Sequence, residues 1–281
     1  MRKNGFVPKD SAEMLAFLDL ETIDRDIFRG RTGVWPEDRP TIYGGEVAAQ
    51  ALRAAAFTVA PERLPHSLHG YFLRPGDPTQ PVIFMVDRDR DGRSFSARRV
   101  AAMQRGEVIW EMACSFHVAE TGPEFFQPAR PGMASSTDSA RPLNDWCSLV
   151  EIRAAPPLDG SPPRPDSADR VWTRVVVPVP DDPVLHACLH TFTSDISSGF
   201  GDLDIPGVPR GGPSIDHAVW FHHASRADEW VIYDCVPAKV GARRGLYTGT
   251  AHDLAGNLVV MLAQEVLLRP QAGAPGEETQ P

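Results

Sequence analysis

The stretch Gly106-Glu-Val-Ile-Trp-Glu-Met-Ala-Cys114 returns, altered, as Gly256-Asn-Leu-Val-Val-Met-Leu-Ala-Gln264. At the same offset Arg93 falls on Arg243, and the apolar runs Pro81 to Val86 and Glu229 to Val236 correspond at a similar spacing. Each copy opens with a helix-like run, Gly45 to Thr58 in the first and Asp181 to about Ser198 in the second. Short turn signals follow, DRDG at 89–92 and LAG at 254–256, of the kind that link antiparallel strands. Repetition at this scale outweighs any single motif. A helix followed by hairpin-linked strands, twice over, predicts an α+β fold of two helix-wrapped antiparallel units, not a doubly wound sheet.

Between the copies, proline and serine crowd the chain from Glu120 to Arg170. Such composition cannot build a core and reads as a linker around a short ordered piece near Trp146 to Ile152. The expected organisation is therefore an N-terminal unit over 1–118, a linker region over 119–168, a C-terminal unit over 169–270 and a frayed tail over 271–281. A net charge of -9 argues against non-specific binding to nucleic acid, which needs a basic face. The longest apolar run, Leu258 to Leu268, is interrupted by Gln264 and Glu265, so no membrane span is expected. The N-terminal MRKNGFVPKD lacks an apolar signal core, and the scattered Cys114, Cys147, Cys188 and Cys235 read as reduced core thiols. These features together point to a cytoplasmic protein.

Alternation in the last strand of each copy aims specific side chains inward. Val108, Trp110, Met112, Cys114, Phe116 and Val118 share one face, and Leu258, Val260, Leu262, Gln264, Val266 and Leu268 share its counterpart. Gln264 thus stands in an apolar row, where an amide without partners costs about 1–3 kcal/mol. In the second helix Leu185, Cys188, Leu189 and Phe192 form a core stripe that continues to Asp195. An acid is almost never fully buried unless paired. Taken singly, backbone or water could satisfy Gln264, and Asp195 could be solvated or cap the next turn. Taken together, they aim an acid and an amide into one half, whereas the first half offers only Glu46 and Cys114. That asymmetry predicts one site, in the C-terminal half.

The segment GPSIDHAVWFHH at 212–223 invites two other readings. Ser214, Asp216 and His217 lie too close along one strand to form a nucleophilic triad, because adjacent strand residues point to opposite faces. His217, His222 and His223 lack an HExxH or cysteine-containing set, so no metal is expected. GxSxG and GxxxxGK[ST] are absent, which removes a nucleophile elbow and a phosphate loop. The pairs Arg98/Arg99 and Arg243/Arg244 are weak candidates for binding the phosphates of a long ligand, against the default of a solvated face.

The string SLHGYFLRPGDPTQPVIFMVDRDRDGRSFSARRVAAMQRGEVIWEMACSF, with TIYGGEVAAQAL, SIDHAVWFHH and AQEVLLR, resembles the class II (TesB-like) acyl-CoA thioesterases. Matching blocks run in order from about Phe17 to Arg269. The resemblance implies a double hotdog fold and hydrolysis of a fatty acyl-CoA to the free acid and CoA, without metal or organic cofactor. It carries the family's catalytic Asp to Asp195 and its Gln to Gln264. The family's Thr is Ser214 here, which keeps the hydroxyl and loses the methyl that restricts its rotamer. Asp195 would act as general base on a water held by Ser214 and Gln264, or itself as nucleophile. Asp216 and His217 are expected to support the site from the same strand. Competing activities are a hotdog enoyl- or 3-hydroxyacyl-CoA hydratase or dehydratase, and a non-catalytic acyl-CoA binding protein. The related hydratases pair the Asp with a His five residues on, where this chain has Phe200. By analogy, a homodimer or higher homo-oligomer is expected.

Overall fold

The computed structural model describes residues 11–32, 40–123, 125, 137, 140–143, 147–156, 169–197 and 199–269. The first unit comprises α1 (Ser11–Leu15), β1 (Glu21–Asp24), β2 (Ile27–Gly30), α2 (Gly44–Ala56), β3 (Arg63–Phe72), β4 (Val82–Asp91), β5 (Phe95–Gln104) and β6 (Glu107–Val118). The second comprises β7 (Arg141–Pro142), β8 (Val150–Ala154), β9 (Arg170–Val175), α3 (Pro183–Ser194), β10 (Asp216–Phe221), β11 (Val231–Gly241), β12 (Arg244–Asp253) and β13 (Leu258–Leu267).

These strands form one antiparallel sheet in the order β1-β2-β4-β5-β6-β3-β10-β13-β12-β11-β9-β8-β7. Leaving out β7, the order is a palindrome about the β3–β10 pair, with β6 answering β13 and β4 answering β11. The duplication seen in the sequence is therefore a pseudo-twofold in space. The expected α+β arrangement of two helix-bearing sheet units is what the chain adopts. Each unit also carries a hairpin ahead of its helix, β1–β2 and β8–β9, which the repeat does not announce. In β1 all four residues are exposed, so it has no alternation to detect. The ordered piece expected near Trp146 to Ile152 includes the start of β8, whose Val150, Ile152 and Ala154 are buried. Trp146 itself lies outside the described residues.

Local chemistry sets the helix bounds. Asp182 caps α3 by accepting from the N–H groups of Val184 and Leu185, and Pro183 occupies the first turn, where no N–H is needed. Helix α3 is accordingly shorter than the predicted Asp181 to Ser198, and ends where Asp195 leaves helical geometry at φ -93°, ψ 10°. Helix α2 has no side-chain cap of its own. Its alanines Ala48, Ala51, Ala54 and Ala55 are wholly buried, and their small size lets it lie close against the sheet and α3.

A single hydrophobic cluster runs through both units, from Phe28, Leu52, Trp110 and Phe116 to Leu189, Phe192, Tyr247 and Val260. All four cysteines are free and buried, as expected of core thiols. No helix among the described residues is long and apolar enough to cross a membrane.

At the joint, β3 pairs with β10 from Ser67–Trp220 to Tyr71–Asp216. Gly70 lies in this joint, and a Cβ there would stand 2.3 Å from the Trp110 indole and 2.5 Å from the Glu111 carbonyl oxygen. Overpacking of this kind costs typically about 1–3 kcal/mol. Gly70→Ala should lower unfolding stability by that order in urea titration, against a smaller effect for Gly122→Ala, where nothing lies within 4 Å.

Candidate active site

The floor of the site is one carboxylate. Asp195 sits at the C-cap of α3, where it is half-buried and oriented by the helix end. Its Oδ1 accepts from Gln264 Nε2 at 2.9 Å and faces the Ser214 hydroxyl at 3.4 Å. Its Oδ2 accepts from the Gly45 N–H at 2.9 Å. Gln264 Nε2 also reaches Ser214 Oγ at 2.5 Å, so acid, hydroxyl and amide form a closed triangle.

Each member is placed by the sheet. Gln264 is 1% exposed on the inner face of β13, in the apolar row predicted for it; its Nε2 donates to the other two side chains, while its buried Oε1 has no hydrogen-bond partner among the described residues. Ser214 precedes β10 and bridges to Val266. The structure thus brings together all three residues anticipated from sequence.

The expectation of a site built by the C-terminal half alone is corrected by Gly45, which belongs to the first helix. The open N-terminus of α2 takes its cap from across the repeat: the side chain that meets its first turn is Asp195. The positive end of a helix dipole favours an anion there. Gly44 is packed so closely that a Cβ would lie 2.7 Å from both Asp195 Oδ2 and the Phe72 ring. Tyr43 fixes the approach by donating its hydroxyl to the Phe192 carbonyl at 3.0 Å. These residues were missed as site members, although the Gly-Gly pair opening an alanine-rich helix was a readable signal of close approach.

Asp216 and His217 point to opposite faces. Asp216 accepts from the Glu265 N–H at 2.7 Å and pins β10 to β13 next to Gln264. His217 is fully buried, and its Nε2 meets Ser194 Oγ at 2.7 Å. Burial pushes the His217 imidazole below its ordinary pKa, partly opposed by the Asp195 charge. The Asp195 carboxyl is pushed above the usual range by burial, against the pull of His217, Gln264, Gly45 and Ser214. A carboxylate so placed is a better base than one in water.

The arginine pairs do not serve this site. Arg98 is 1% exposed inside the first unit, where it bonds Asp91, Thr58 and the carbonyls of Arg90 and Ala97. Its donors are thus consumed in structure, which overturns it as a phosphate contact. Arg99 pairs with Asp89 and Asp87, Arg244 faces Glu265, and Arg243 lies in the β11–β12 turn. None of the four lines the cavity above Asp195. Arg74 does, half-exposed at its rim beside Glu107.

That cavity has a volume of about 720 Å³ and is walled by Val47, Phe72, Ile109, Trp110 and Leu267, with Gly212 and Pro213 beside Ser214. Phe200, at the position where the related hydratases carry a His, is fully buried against Tyr247 and does not line the cavity. No histidine is among the described residues that line the cavity, and no His/Cys/Asp/Glu group among them is placed to hold a metal.

Two consequences can be measured. Gly44→Ala should displace the Asp195 carboxylate and cut turnover at least about tenfold with an unchanged circular dichroism spectrum, in keeping with the cost of small misplacements. Because the folded state raises the Asp195 pKa, its contribution to stability is complete below the ordinary value of 3.8 and is lost as pH rises through the raised value. Asp195→Asn should therefore melt higher than the native protein at pH 7, with the advantage vanishing as pH falls below the ordinary carboxylate value.

Comparison with known proteins identifies the family. Residues 31–117 match the family model described as acyl-CoA thioesterase N-terminal domain, and residues 121–268 the acyl-CoA thioesterase C-terminal domain. The chain is 33% identical to human acyl-coenzyme A thioesterase 8, over 94% of its own length and 92% of the relative's. It is 31% identical to acyl-CoA thioesterase 2 of Haemophilus influenzae, covering 91% of this chain and 96% of that one. Among solved structures, the acyl-CoA thioesterase II TesB2 of Mycobacterium marinum is similar with a TM-score of 0.77 and 37% identity, over 94% of this chain and 99% of that one. With both domains matched in order along one chain, the protein belongs to the TesB-like acyl-CoA thioesterase II family, whose two domains are its two hotdog units.

Proposed function

We propose that the protein hydrolyses medium- to long-chain fatty acyl-CoA to the free acid and CoA, using a water molecule held by Asp195, Ser214 and Gln264. The observation that carries this reading is the convergence of Gln264 Nε2, the Ser214 hydroxyl and the Gly45 N–H on one carboxylate beneath an apolar cavity of about 720 Å³. A thioester placed in that cavity presents its carbonyl carbon to the Asp195 side. Asp195 takes the proton of the attacking water, and Ser214 and Gln264 hold that water in line. Negative charge developing on the carbonyl oxygen is favoured by the positive end of α2. The thiolate of CoA then leaves, and Asp195 returns the proton.

The apolar walls formed by Val47, Phe72, Ile109 and Trp110 support an acyl chain as the buried part of the substrate. Arg74 at the rim is a candidate partner for the phosphates of CoA. Exposed Tyr71, Trp220 and Met261 on the outer face of the central strands support association into a homo-oligomer.

Thiol release from a series of saturated acyl-CoAs tests the reading, with enoyl-CoA as the control for hydration. Asp195→Asn should lose turnover by a factor on the order of 10² or more while remaining folded. Near-native turnover in that variant, or consumption of enoyl-CoA without thiol release, would overturn it.

A further inference from the structure

The carboxamide of Gln264 can serve the site only one way round. Its Nε2 donates to Asp195 Oδ1 at 2.9 Å and reaches Ser214 Oγ at 2.5 Å, which turns Oε1 away from both. A flipped amide would set Oε1 against the carboxylate, two acceptors with no proton between them. Oε1 is itself buried and meets no described group in hydrogen-bond geometry. The productive orientation therefore needs a donor on the far side of the amide, and an acceptor so buried costs about 1–3 kcal/mol without one.

The group in place to supply it is His217. Strands β10 and β13 pair from Phe221–Val260 to Ala218–Ala263, and one further step along this register sets His217 opposite Gln264. Both side chains are buried on the inner face. Directly opposed residues have Cβ atoms about 4.5–5.5 Å apart, so an imidazole and a carboxamide there meet by side-chain rotation alone. On its other flank His217 faces Gly70 of β3, which has no side chain to compete. The Nδ1 of His217 is buried and unpartnered among the described residues, as Gln264 Oε1 is.

The ring can hold its proton where the amide needs it. Burial lowers the His217 pKa, and the Asp195 charge and the Gln264 amide pull it only partly back, so the ring is neutral near pH 7. Its Nε2 lies 2.7 Å from Ser194 Oγ, whose hydroxyl can be donated to that nitrogen or to the Thr191 carbonyl at 2.9 Å. With the ring proton on Nδ1, Nε2 takes the Ser194 proton, and the chain Ser194–His217–Gln264 runs from donor to acceptor without a break. With the proton on Nε2, Nδ1 and Oε1 would be two acceptors facing each other.

The other unit shows what happens where no hydrolytic group needs holding. There Cys114 stands for Gln264, and the residue paired with it is Leu68, at the position of His217. Ser194, the last residue of α3 before its C-cap, is answered by Ala56 in α2, and the C-cap Asp195 by Phe57. The polar chain is thus replaced as a whole along with the acid it serves.

We propose that His217 is a positioning residue: as the Nδ1–H tautomer it donates to Gln264 Oε1, accepts the Ser194 hydroxyl on Nε2, and so holds the amide with its Nε2 toward Asp195 and Ser214. The inference rests on the reading of those residues as the hydrolytic site.

Histidine ¹⁵N resonances of the unaltered protein, with His217 assigned by its loss in His217→Asn, test the tautomer. A protonated Nδ1 and a bare Nε2 at pH 7 are expected, and a protonated Nε2 overturns the proposal. In hydrolysis of dodecanoyl-CoA, His217→Leu should lower kcat by a factor on the order of 10 or more while KM stays within about twofold. His217→Asn, whose amide nitrogen takes the place of Nδ1, should restore most of that loss. In a Gln264→Leu background, His217→Leu should cost little further, because its effect passes through the amide. Native turnover in His217→Leu, or the same loss again in the double variant, overturns the proposal. Should His217→Leu fail to fold, the tautomer of the unaltered protein still decides. Absence of thiol release from the unaltered protein would instead refute the hydrolase reading, and the tautomer would still show whether His217 holds the amide.

Discussion

Everything in the working half of this molecule depends on a carboxylate meeting the uncapped end of a helix from the other half. Helix α2 begins without a side-chain cap, and Asp195 of α3 supplies an acceptor for its Gly45 N–H. One hydrogen bond thus joins the repeats, satisfies a helix terminus and fixes the oxygen atoms of a base. It requires glycine at the approach, because any Cβ at Gly44 or Gly45 would strike a neighbour within 2.7 Å. The arrangement holds a negative charge where burial disfavours it, a local instability of the kind that active sites retain for function.

The two helix ends show how duplication became specialisation. A second cavity of about 400 Å³ lies at the other end of the helix pair, with Phe221 and Val259 where Phe72 and Ile109 wall the first, and the difference lies in what terminates each helix. An open glycine N-terminus with an acid opposite it gives chemistry. A proline N-terminus with its own aspartate cap and an arginine opposite gives structure. Position by position, the strand residues follow suit: Gln264 and Ser214 on one side are answered by Cys114 and Pro65 on the other.

Much of this was legible in the chain. The repeat announced the duplicated unit, and strict alternation in β13 placed Gln264 on an apolar face, where an amide has to have partners. The helical stripe of α3 carried Asp195 inward by the same logic. Ser214 was named only through the family resemblance, because its role depends on residues far away along the chain. What could not be read was long-range complementarity. The capping of α2 by Asp195 follows from neither helix alone, and Arg98 looked like a surface cation until Thr58 and Asp91 closed around it. The hairpin β1–β2 was missed because β1, with all four residues exposed at the sheet edge, owes its form to pairing rather than to pattern, whereas the alternation of Val150, Ile152 and Ala154 in β8 was there to be read.

The seam between β3 and β10 also makes catalytic competence a late event in the life of the chain. It joins residues some 147 positions apart, as His69 and Asp216 show, whereas the hairpins on either side close over short loops. Contacts of such separation form slowly, because the chain entropy of the intervening segment must be lost before they contribute. A slip of two residues at this seam would move the strands by about 6.6–6.8 Å and carry Gly45 out of reach of Asp195. Activity therefore reports on the completed union of the two halves: a chain whose sheets have formed but whose seam has not closed carries every functional residue and has no working site.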